Sequence, residues 1–126
     1  ILAEHGFWVH VMQQNKAGQP ADIIAVRGRV HTLIDCKVIS DDKGFPFERM
    51  EENQKSAMRM FHKKCSEPCY FALKLPDETV WMISMERLET QRNRGKRRLM
   101  DAEIREQAWS LDKWIDNAVR VWADIP

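Results

Sequence analysis

QPADIIAVRGRVHTLIDCKVI, residues 19–39, holds two apolar runs, 23–26 and 30–39, parted by Arg27-Gly28-Arg29. That spacing predicts two strands joined by a tight turn, since glycine supplies the backbone freedom a short hairpin needs. Side chains on a strand alternate between faces, so Asp35 and Lys37 share the face of Leu33 and Ile39, while Cys36 points the other way with Ile34 and Val38. A carboxylate and an ammonium therefore sit side by side in a strand apolar enough to be buried. Taking a charge out of water is costly, so a charge kept there is expected to be paired or to hold a metal. An internal ion pair on a half-exposed strand is one reading of Asp35 and Lys37. A metal site is the other, and Asp22, at the mouth of the first strand after Pro20, supplies it with a second carboxylate.

Pro20-x-Asp22 followed thirteen positions on by Asp35-x-Lys37 resembles the signature of the PD-(D/E)xK nuclease superfamily. The resemblance implies that Asp22, Asp35 and the main-chain carbonyl of Cys36 hold one or two Mg²⁺ ions, with Mn²⁺ as the alternative, and that Lys37 helps orient or activate the attacking water. A second acid-x-Lys match, Asp41-x-Lys43, lies in a polar loop with Gly44 and lacks the strand that would give it meaning.

Residues 48–64 carry helical periodicity, with Met50, Gln54, Ala57, Met58 and Phe61 on one stripe. Gln54 interrupts that stripe, and a buried amide left without a hydrogen bond costs about 1–3 kcal/mol. Its partner is either a neighbouring backbone carbonyl or the carboxylates across the sheet. Here the resemblance narrows: Gly44-Phe45-Pro46-Phe47 and Glu52-Asn53-Gln54 are similar to the segment after the acid-x-Lys strand in RecU-type Holliday junction resolvases and their phage relatives. The likeness runs from Gly6 to about Phe61 and implies that Gln54 joins the catalytic group.

Around this core, residues 1–6 read as the last turn of a helix closed by Gly6, with a segment expected upstream. Relatives place a further acidic residue on that helix; Glu4 lies too near Gly6 to take its role and reads as a solvated helix-end charge. Residues 7–12 are expected to form a strand and 13–19 a loop, with Lys16 a candidate phosphate contact at its mouth. The runs 70–75 and 80–83, parted by Pro76-Asp77-Glu78-Thr79, predict a second hairpin, with Ser84 capping a helix over 85–91. His62, Cys65 and Cys69 are a rival metal cluster, but structural zinc takes four ligands and three are offered. In the tail, Ser110 is expected to cap a helix with Leu111, Ile115, Ala118, Val119 and Trp122 on one stripe, and Trp109 to staple against Trp114.

The net charge of +1 hides polarity: Arg92, Arg94, Lys96, Arg97 and Arg98 place five positive charges in seven residues, leaving about −4 on the remainder. Such a run is either a solvated loop or a phosphate-binding patch beside an acidic metal site. An odd cysteine count, three, speaks against a disulfide framework and for a reducing compartment. No stretch is long and apolar enough to span a membrane, and no signal-peptide pattern appears.

The expectation is one domain over residues 1–126, α/β, with a mixed central sheet in the order α-β-β-β-α-β-β and C-terminal helices, similar to the restriction-endonuclease-like fold. The resemblance implies a Mg²⁺-dependent endonuclease that resolves four-way DNA junctions as a homodimer in the cytoplasm of a bacterial or phage-infected cell. The alternatives are a nuclease of this fold acting on duplex or DNA ends, and a DNA-binding module without turnover.

Overall fold

The computed structural model describes residues 1–13 and 21–123, with side-chain surroundings as far as Ala118. Lys16 and Pro20, singled out above, lie outside the described residues, as do the side chains of Val119 and Trp122.

A six-stranded sheet runs in the order β1-β2-β3-β5-β6-β8. β1 (Trp8–Val11), β2 (Ile23–Arg27) and β3 (Val30–Val38) form an antiparallel meander. Arg27 pairs with Val30, so Gly28 and Arg29 are the two-residue turn, and Gly28 takes a φ of 57° at its first position. β5 (Tyr70–Lys74) lies parallel to β3, β6 (Val80–Ser84) turns back antiparallel, and β8 (Trp109–Ser110) closes the edge. The sheet is therefore mixed, the parallel pair β3–β5 spanned by the crossover through α1 (Glu52–Cys65).

The alternation in β3 sorts the two cores. Leu33 and Ile39 face a cluster with Met50 and Met58 from around α1, Met85 and Leu88 from α2 (Met85–Asn93), and Ile104 from α3 (Asp101–Gln107). Ile34 faces the opposite cluster, where Trp114 and Ile115 of α4 (Leu111–Ala123) pack with Phe7 and Met82. Ser84 caps α2 by accepting from the Arg87 N–H, and Ser110 does the same for α4 through the Lys113 N–H. No helix among the described residues is long and apolar enough to cross a membrane.

Three local expectations change. The helix expected from residue 48 starts at Glu52, because Met50 and Glu51 are extended and a separate 3-10 turn covers Phe47–Arg49. Phe47 is thereby buried, in edge-on contact with Phe45, whose ring also meets Phe71. Second, Phe45–Pro46 is itself a strand, β4, paired with β7 (Arg98–Leu99), so the end of the basic run is anchored to the segment that follows the acid-x-Lys strand. Gly44 permits that docking: its φ is +77°, and a Cβ there would stand 2.2 Å from the Leu99 carbonyl oxygen. Third, Trp109 stays half exposed on β8, while Trp114 stacks on Phe7 and meets Tyr70 edge-on.

Candidate active site

Asp35 is buried to 1% exposure within β3, next to the buried Leu33 and Ile34. Three side chains surround it, two of them holding it. Gln54 Nε2, from the first turn of α1, donates to Asp35 Oδ1 at 2.7 Å, which answers the question its apolar stripe raised. Lys37 Nζ lies 3.1 Å from Oδ2, on the same face of β3. Asp22 stands close enough that its charge acts on Asp35. Burial pushes the Asp35 carboxyl up to about 6, with the Lys37 ammonium opposing and the Asp22 charge adding. The Lys37 ammonium favours the anion against that desolvation.

Asp22 is fixed by its own backbone before its side chain does anything. Its N–H donates to Ile34 and its C=O accepts from Met12, so it is stitched between β3 and β1 at the end of β2. From there its Oδ2 accepts the Cys36 N–H at 2.7 Å. The N–H and C=O of one strand residue point to the same side. The Cys36 carbonyl therefore faces this same edge, just past the end of β2, next to both carboxylates.

The residues present fit a hard divalent cation. Two carboxylates and a strand-edge carbonyl converge as oxygen donors, and Asp35 Oδ2, although buried, receives no well-formed hydrogen bond. Among the described residues no three His, Cys, Asp or Glu side chains cluster as a metal site. His62, Cys65 and Cys69 turn instead to main-chain carbonyls, those of Glu67, Phe61 and Met58.

The basic run divides in the structure. Arg92 closes α2, Arg94 caps it, Lys96 ion-pairs with Glu103, and Arg97 and Arg98 lead into β7 beside Pro46 and Phe47. All five side chains are exposed. Two neighbours escaped the sequence reading. Glu51, at the N-cap of α1, places Oε1 3.9 Å from Lys37 Nζ, so the lysine lies between two carboxylates. Arg49 donates to the Val38 carbonyl at 2.9 Å, on the edge of β3 where Asp22 sits. Both stood inside a presumed helix, where sequence gives no signal that they turn toward the strand.

A buried acid-x-Lys pair on a mixed sheet, with a second acid at the end of the adjoining strand, defines a nuclease of the restriction-endonuclease-like fold. The profile of the archaeal Holliday junction resolvase (Hjc) family matches residues 1–121, and the chain belongs to that family. It is a metal-dependent endonuclease that hydrolyses phosphodiester bonds and resolves DNA junctions; resolvases of the family use divalent cations. Among solved structures the fold is similar to that of Hjc from Archaeoglobus fulgidus, a Holliday junction resolvase from an archaeal hyperthermophile. The TM-score is 0.68 at 18% identity, over 90% of each chain. No curated protein matches the chain.

Proposed function

We propose that Asp22, Asp35 and the Cys36 carbonyl hold Mg²⁺, with Mn²⁺ as substitute, and that Lys37 and Gln54 complete the catalytic group within a single domain spanning the chain. The observation that carries this reading is the bracketing of one buried carboxylate, Asp35, by Gln54, Lys37 and Asp22. Oxygen donors without sulfur favour Mg²⁺ or Mn²⁺ over Zn²⁺. When bound, the cation supplies Lewis-acid polarisation of the phosphate and a more acidic water.

The chain's own residues do the rest. Gln54 fixes Asp35 through Oδ1 and leaves Oδ2 to face the lysine. Asp22 is braced toward the site by the Cys36 N–H. Lys37 presents its ammonium where negative charge grows on the phosphate during in-line attack, so it stabilises the transition state more than the bound DNA. The likeness of residues 44–47 and 52–54 to RecU-type resolvases supports the same role for Gln54.

The substrate in this reading is a four-way junction, which has two-fold symmetry. Two copies of the chain, one per cut strand, match it, acting in the cytoplasm where the DNA is. Lys16, Arg92, Arg94, Lys96, Arg97 and Arg98 supply phosphate contacts. The test compares labelled four-way junction and linear duplex of matched sequence, each with and without Mg²⁺. Paired symmetric cuts in the junction alone, dependent on the cation, are expected. Equal cutting of the duplex would exclude junction specificity, and cutting in chelator would exclude the metal assignment.

A further inference from the structure

We propose that Arg49 and Arg98 form a built seat for one backbone phosphate of the DNA strand next to the cut, an inference that rests on the nuclease reading above. Pairing of β2 with β3 ends at Ile23 and Ile34, so the edge-facing groups of Cys36 and Val38 lie beyond it. The Cys36 N–H goes to Asp22 and the Val38 C=O accepts from Arg49. Cys36 and Val38 themselves lie two strand positions, about 6.6 Å, apart along β3. That is close to the spacing of neighbouring phosphates along a nucleic-acid strand. A phosphate lying at the carboxylate pair thus has its neighbour within reach of Arg49.

The two guanidiniums are held before any ligand arrives. Arg49 is fixed by the Val38 carbonyl and lies 5.9 Å from the Phe45 ring centre, while Arg98 donates to the Lys43 carbonyl at 2.8 Å. They line one cavity of about 210 Å³ with Lys43, Asp41 and Pro46. Three cations face one carboxylate there, and Asp41 Oδ1 is taken by the Lys43 N–H of its own loop. An anchored guanidinium keeps most of its five donors for an anion, and its prior fixation reduces the entropy lost on binding. A second cavity of about 410 Å³ shares Pro46 and Arg98 and adds Arg92, Lys96 and Arg97. Glu48 lines this cavity as well, so four cations and one carboxylate continue from the seat at Arg98 into the basic run.

The experiment couples one side chain to one phosphate. Four-way junctions carrying a single uncharged methylphosphonate are scanned through the linkages around the branch point, and binding of the full chain is measured in chelator so that no cleavage intervenes. For the parent, one linkage is expected to weaken binding about tenfold. Arg49→Gln should bind the unmodified junction about tenfold more weakly and lose nothing further at that linkage. Arg98→Gln should behave alike, and it carries the test if Arg49→Gln fails to fold. Arg49→Lys, keeping charge but not the fork, should recover part of the loss. Losses that add at every linkage, or Arg49→Gln binding like the parent, would overturn the seat. A parent that binds with the expected coupling yet leaves junctions uncut in Mg²⁺ would sink the nuclease reading and leave the seat standing.

Discussion

Lys37 has two carboxylate neighbours, Asp35 and Glu51, and sits only partly exposed, so its ammonium is aimed before DNA arrives. Lys37→Ala is expected to reduce single-turnover cleavage of the junction by 10²-fold or more, on the order of 3 kcal/mol of transition-state stabilisation, with junction affinity nearly unchanged. Normal cleavage by this variant would remove the lysine from the mechanism. Asp35 makes a stability prediction of its own. A carboxyl raised from 3.8 to about 6 contributes stability that is fully present below its unfolded value and is lost as pH rises through about 6. Asp35→Asn carries no such term. In chelator the melting temperature of Asp35→Asn should therefore gain on the parent's between about pH 4 and pH 6 and run parallel above that, a change of about 2–3 kcal/mol at most. A temperature difference independent of pH would mean that the carboxyl titrates normally.

Among the elements, the small β4–β7 sheet carries more function than its two residue pairs suggest. With the Arg98 bond to the Lys43 carbonyl, it ties the end of the basic run to the loop that follows β3, and at Gly44 the two segments pass so close that a Cβ would meet the Leu99 carbonyl. Gly44→Ala forces a Cβ onto the Leu99 carbonyl in a left-handed conformation, so a loss of about 1–3 kcal/mol in unfolding free energy is expected by denaturant titration. Amide exchange should quicken at Phe45 and Leu99 more than in β3 and β5, and faster exchange spread evenly over the sheet would place the strain elsewhere. Sequence reading found β1, β2, β3, β5 and β6, because alternation and turn residues encode them directly. It missed β4, β7 and β8, which are two residues each and exist only by virtue of a partner brought from far along the chain. The start of α1 was misjudged for a related reason: the helical stripe includes Met50, but Met50 reaches the core from an extended backbone.

At the scale of the whole molecule, charge is laid out along a path, with the acidic site at one end of β3's open edge and the cations following it. Neutralising Arg94, Lys96, Arg97 and Arg98 together should weaken junction binding and flatten its salt dependence, by about 0.9 in log–log slope for each DNA phosphate that is no longer neutralised. An unchanged slope in a salt titration would show that the run is solvated and that the DNA path lies elsewhere. The sequence by itself determined the mixed α/β class, the facing of Asp35 and Lys37, and the candidacy of Asp22 and Gln54, because strand alternation and helical period are local and a buried polar residue stands out against an apolar stripe. Only the tertiary structure decided that Gln54 bonds Asp35 rather than a backbone carbonyl, that Asp22 is braced on the Cys36 N–H, and that Glu51, Arg49 and Arg98 stand around the site. Those relations depend on which strand ends where and on a helix that starts at Glu52, later than its periodicity suggests. Both are set by packing between segments distant in the chain, where no local preference acts.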